Sequence, residues 1–71
     1  MNLKKVNSSM VYAIGYDLKS KTLEVVFRSG KAWAYKEVPK KVYQEFLKSE
    51  SIGSYMRENI IDCYPSYPIR R

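Results

Sequence analysis

The residues best placed to do chemistry in this chain are aromatic and cationic. Trp33 and Tyr35 stand two apart, with Arg28 and Lys31 just before them. On a strand, a spacing of two puts both aromatics on one face. Aromatics on an open sheet face can stack on bases while neighbouring cations meet phosphates, as in RNA-recognising sheets and single-strand binders. Each stacked base contributes ~1–3 kcal/mol. Arg57 and the terminal Arg70-Arg71 complete the candidate ligand-binding set. A structural reading competes with this one. Trp33 and Tyr35 could instead pack beneath a C-terminal tail holding Tyr64, Pro65, Tyr67 and Pro68, the extra burial that a short chain needs. The tail itself is a packed terminal segment, a peptide ligand or an exchanged arm.

Catalysis has little to work with. The chain has no histidine and one cysteine, Cys63, so nothing of the usual kind activates a thiol nucleophile. Cys/His zinc sites are excluded by the same counts. No Gly-rich phosphate loop and no nucleophile elbow is present. Asp17 and Glu24 fall near one hairpin, but Asp17 has an ordinary place as a turn residue. The expectation is a non-enzymatic protein with no cofactor and no metal.

Length and charge bound the rest. The chain has 71 residues, 13 Lys+Arg and 7 Asp+Glu, a net charge of +6. One domain over 1–71 fits; two would each be too short to bury a core. The positive balance favours polyanionic partners, although the cations are spread along the chain. Lys40-Lys41 sit where a first helical turn disfavours cations. A single cysteine fits a reducing compartment, and the expected location is the cytoplasm. The basic start Lys4-Lys5 is followed by no apolar run of secretory length, and no stretch could span a membrane.

The elements that must position these residues follow from periodicity. Residues 1–8 read as a flexible lead-in. Met10–Tyr16, Thr22–Arg28 and Lys31–Glu37 alternate as strands, joined by a polar turn over 18–21 and by Ser29-Gly30. Pro39 opens a helix to Ser49 carrying Val42, Tyr43, Phe46 and Leu47. Ser51 caps a second helix over Ile52–Ile61, with Gly53 costing about 1 kcal/mol against alanine. The two prolines beyond Tyr64 exclude regular helix. The fold class is α+β: a three-stranded antiparallel β-meander followed by two α-helices.

A two-residue Ser29-Gly30 turn pairs Arg28 with Lys31 and Val26 with Trp33. A first turn of residues 18–21 pairs Asp17 with Thr22 and Tyr12 with Phe27. One face then holds Tyr12, Ile14, Tyr16, Leu23, Val25, Phe27, Ala32 and Ala34, a core for the first helix to cover. The other holds Glu24, Val26, Arg28, Lys31, Trp33 and Tyr35 over the small residues Ala13 and Gly15. This division depends on the loop lengths, because a one-residue change turns a strand's residues to the opposite faces.

Ser8-Ser9, Ile14-Gly15-Tyr16-Asp17, Thr22-Leu23-Glu24-Val25-x-Phe27, Gly30, Trp33-x-Tyr35, Val38-Pro39, Val42-Tyr43 and Ser51-x-Gly53-x-Tyr55, in this order and spacing, resemble the KTSC domain. That family is named for the C-terminus of some lysyl-tRNA synthetases and also occurs as short bacterial or phage proteins. The resemblance covers about residues 6–64, leaving a basic Tyr/Pro tail over 64–71. Trp33-Ala34-Tyr35 stands where the family has Tyr-x-Tyr. The resemblance implies an α+β domain and a suspected RNA-binding role, with no established activity. Three functions stay open: a module binding RNA or another nucleic acid; a homo-oligomer that sequesters a nucleotide-derived signal, as a phage sponge against host defence; and a protein-interaction or inhibitor module.

Overall fold

A computed structural model describes residues 3–69. Five antiparallel strands run in the spatial order β1-β2-β3-β4-β5: β1 Leu3–Lys5, β2 Val11–Asp17, β3 Thr22–Phe27, β4 Ala32–Tyr35 and β5 Ser66–Ile69. Helix α1, Lys40–Lys48, and helix α2, Ile52–Tyr55, lie between β4 and β5 in sequence. The α+β class with an antiparallel sheet and two helices holds. The three-stranded meander does not, because both terminal segments add strands. Leu3–Lys5, expected as lead-in, pairs with β2 through Leu3↔Gly15 and Lys5↔Ala13. The tail pairs with β4 through Ala34↔Tyr67 and Trp33↔Pro68. Proline does not bar a strand at a sheet edge, where its missing N–H is tolerated.

Side-chain oxygens and backbone amides shape the turns. Ser8 Oγ accepts from the backbone N–H groups of Met10 (3.2 Å) and Val11 (3.3 Å), turning β1 into β2. Asp17 accepts from Lys19 N (3.1 Å) and Ser20 Oγ (2.9 Å), and closes the β2–β3 loop with the expected Asp17↔Thr22 pair. These hydrogen bonds, Ser20's hydroxyl foremost, hold the Asp17 carboxyl below its ordinary pKa. The β3–β4 loop departs from expectation. Phe27 N donates to Lys31 O (2.8 Å) and Gly30 N to Phe27 O (2.9 Å), so three residues, not two, make the turn. Gly30 sits at φ +95°, the left-handed position such a loop requires.

That extra residue turns β4 over. Val25 pairs with Trp33 and Leu23 with Tyr35, placing both aromatics on the helix side. Ala32 and Ala34 take their place on the open side. In β2 a bulge between Val11 and Ala13 moves the other way: Val11, not Tyr12, opposes Phe27. Tyr12 is thereby freed to the open side, and Val11 is fully buried.

The core lies between one sheet face and the helices. Val11, Ile14, Leu23, Val25 and Tyr35 of the sheet meet Val38, Phe46, Ile52, Met56 and Ile60. The Tyr43 ring of α1 stacks on Tyr16 of β2 at 4.7 Å between centroids, and Tyr16's hydroxyl donates to the Val38 carbonyl. Phe46 stacks on Tyr55 at 5.4 Å, locking α1 to α2. Ser51 caps α2 as its type suggests, accepting from Ser54 N (3.3 Å). The chain then widens into a π-helical turn, Met56–Ile60, instead of continuing as α-helix. Met56 and Ile60 are both fully buried, and the wider turn is closed by Ile61 N donating to Met56 O (2.8 Å).

Candidate nucleic-acid interface

Helices cover only one face of the sheet. On the other, Glu24 and Val26 of the central strand β3 stand among four small residues, Ala13, Gly15, Ala32 and Ala34. All four are buried, screened by taller neighbours rather than by a second layer. Two of those neighbours are tyrosines. Tyr12 is 40% exposed and Tyr67, opposite Ala34 on β5, is 47% exposed.

Each exposed tyrosine carries cations. Lys5 Nζ stands 5.6 Å from the centre of the Tyr12 ring, and the Arg28 guanidinium carbon 5.7 Å from it. Lys36 Nζ stands 5.9 Å from the centre of the Tyr67 ring. These distances fall within cation–π range. Arg28 Nε also donates to the Ser8 carbonyl (2.8 Å), so the turn between β1 and β2 fixes where its charge lies. Three strand steps separate β2, which carries Tyr12, from β5, which carries Tyr67, ~14 Å across the sheet at the usual spacing. An aromatic–basic sheet face therefore exists, built from other aromatics than Trp33 and Tyr35.

Of the candidates named from sequence, Arg28 joins this face. Lys31, Trp33 and Tyr35 alternate onto the opposite, helix-facing side. There a cleft of about 300 Å³ opens between Met10, just before β2, with Phe27, Trp33 and Tyr35 on the sheet, and Ile61 and Asp62 beyond the π turn. Trp33 is half-buried and Tyr35 buried. Burial, and secondarily the Asp62 carboxylate, raises the Tyr35 hydroxyl above its ordinary pKa. The tail covers Trp33 and Tyr35 only in part, with Ser66 at one edge of the cleft. Arg57 is exposed and lines a separate polar groove of about 250 Å³ with Ser8, Ser51, Gly53 and Ser54. Arg70 and Arg71 lie outside the described residues.

Tyr12, Tyr67, Lys5 and Lys36 escaped sequence reasoning. The exposure of Tyr12 depends on a bulge with no signature in composition. Tyr67 had a signal: Ser66-Tyr67-Pro68-Ile69 is compatible with an edge strand, and its prolines argued only against helix. Asp62 stands in left-handed backbone at φ 64°, which aspartate tolerates better than most residues.

Comparison with known proteins agrees with this architecture. The crystal structure of a KTSC domain protein from Yersinia pestis superposes with a TM-score of 0.95 at 29% identity, over 97% of each chain. A protein of Stutzerimonas stutzeri is 36% identical over 53 residues, 75% of each chain. One from Tsukamurella paurometabola is 35% identical over 54 residues, 76% of this chain and 81% of its own. The KTSC family model matches residues 7–64, all three expected strands and both helices, and the chain belongs to the KTSC domain family.

Proposed function

We propose that the protein is a non-enzymatic module that binds single-stranded nucleic acid, RNA foremost, on the open face of its sheet. The observation that carries this reading is the pairing of Tyr12 with Lys5 and Arg28, and of Tyr67 with Lys36, on the sheet face that no helix covers. Stacking on a base needs an accessible ring face, and Tyr12 (40% exposed) and Tyr67 (47% exposed) stand out from this face, toward its margins and away from the Glu24 carboxylate on β3. Lys5, Arg28 and Lys36 supply the phosphate contacts, and the net charge of +6 adds long-range attraction. Tyr12 and Tyr67 are far enough apart to hold separate nucleotides of one strand.

Anisotropy of labelled single-stranded RNA, with DNA and duplex controls, tests this. Affinity should fall steeply with added salt. Tyr12→Ala and Tyr67→Ala should each weaken binding about 5- to 150-fold, the equivalent of one lost stacking contact. Binding that ignores salt, or tyrosine variants that bind like the parent chain, would sink the proposal.

A further inference from the structure

The cleft on the helix side is separate from the open face. Its volume of about 300 Å³ lies at the small end of ligand sites, where pockets run from roughly 300 to 1,000 Å³. Its walls are flat or compliant: the Trp33, Tyr35 and Phe27 rings, the Met10 thioether and the Ile61 side chain. Such walls accept a planar ring. The lining also carries one carboxylate, Asp62, on a segment placed by the preceding π turn. A carboxylate accepts two hydrogen bonds side by side. Asp62 is exposed at the cleft's mouth, and a ring with two adjacent N–H donors could take both of its oxygens, which an unsubstituted aromatic cannot. Lys31 projects to the same side of the sheet as Trp33, so an attached phosphate would meet positive charge beyond the ring.

We propose that this cleft binds an amino-substituted nucleobase, guanine best, with the ring held among Trp33, Phe27 and Ile61 and its adjacent N–H donors on the Asp62 carboxylate. The site faces away from Tyr12 and Tyr67, and the proposal does not rest on the reading of the open face. The base comes either from a free nucleotide or from a nucleotide of a bound strand.

Trp33 is the only tryptophan, so its emission reports on the cleft directly. The full chain is titrated with guanosine monophosphate, inosine monophosphate, which lacks the 2-amino group, and ribose 5-phosphate, which lacks the base. A guanine-containing oligonucleotide forms a fourth arm. Saturable quenching by guanosine monophosphate, weaker with inosine monophosphate and absent with ribose 5-phosphate, is expected for a free nucleotide. Quenching by the oligonucleotide alone assigns the base to a strand, provided an oligonucleotide of the same length without guanine fails to compete. Asp62→Asn keeps the left-handed backbone preference and should weaken the guanine ligand at least tenfold. Ile61→Phe should block the cleft in a chain whose folding is verified by circular dichroism. No saturable quenching in any arm overturns the proposal. So does equal binding of ribose 5-phosphate, or an Asp62→Asn variant that still prefers guanine over hypoxanthine.

Discussion

Gly30 decides which way β4 faces. Its positive φ lets three residues turn where two were expected, and the added residue moves Trp33 and Tyr35 to the helices and Ala32 and Ala34 to the open side. No Cβ clash stands in the way at this exposed position, so the constraint is purely conformational. Gly30→Ala should therefore cost about 1 kcal/mol or more of unfolding free energy, read from urea midpoints. A neutral result would mean the turn relaxes into another form. Ser29-Gly30 was legible as a turn, but its length was not. Two- and three-residue loops share this composition, and the hydrogen bonds from Phe27 and Gly30 that separate them are properties of the folded backbone. The Asp17 loop was legible because its side chain has the local partners Lys19 and Ser20.

At the scale of elements, the sequence resolved what repeats and missed what bends. The three central strands and α1 follow from alternation and helical spacing, and α1 begins within a residue of Pro39. The terminal strands were hidden by shortness and by proline. The second helix was right in place but not in form: its later turn is π, with Met56 and Ile60 both buried. Gly53, near the start of α2, lies in the wall of the polar groove. A Cβ added there meets Met10 Cβ at 3.5 Å and Ser8 Oγ at 3.9 Å, both ordinary contacts. Gly53→Ala should stabilise the chain by about 0.5 kcal/mol, at the lower end of the helix effect because the position is near the helix start. A lowered thermal midpoint would show that Met10 and α2 are packed more tightly than these distances allow.

Over the whole molecule, three tyrosines carry a pH dependence at high pH. Burial raises the hydroxyls of Tyr16, Tyr35 and Tyr55, with Asp17, Asp62 and Glu45 adding to the effect. Each binds its proton more tightly when folded than when unfolded. The resulting stability is fully present below the unfolded value of 10.0 and is lost as pH rises through the higher folded values. Ultraviolet titration should thus show these three of the seven tyrosines ionising late, with the urea midpoint falling over the same range. Ionisation of all seven near 10.0 in the folded protein would contradict the burial described for them. The chain has no histidine, so imidazole makes no contribution to pH dependence near neutrality.

The composition of the two outer strands bears on self-association. Pro68 removes a backbone donor from β5, and β1 is three residues long with lysine at two of them. Short, charged or proline-bearing margins discourage another chain from docking strand to strand. A second copy would then dock by side chains rather than by backbone pairing, and the open face over Tyr12 and Tyr67 is one surface on offer. On the proposed function, assembly over that face and ligand capture would be rivals, and nucleic acid would dissociate such an assembly rather than scaffold it.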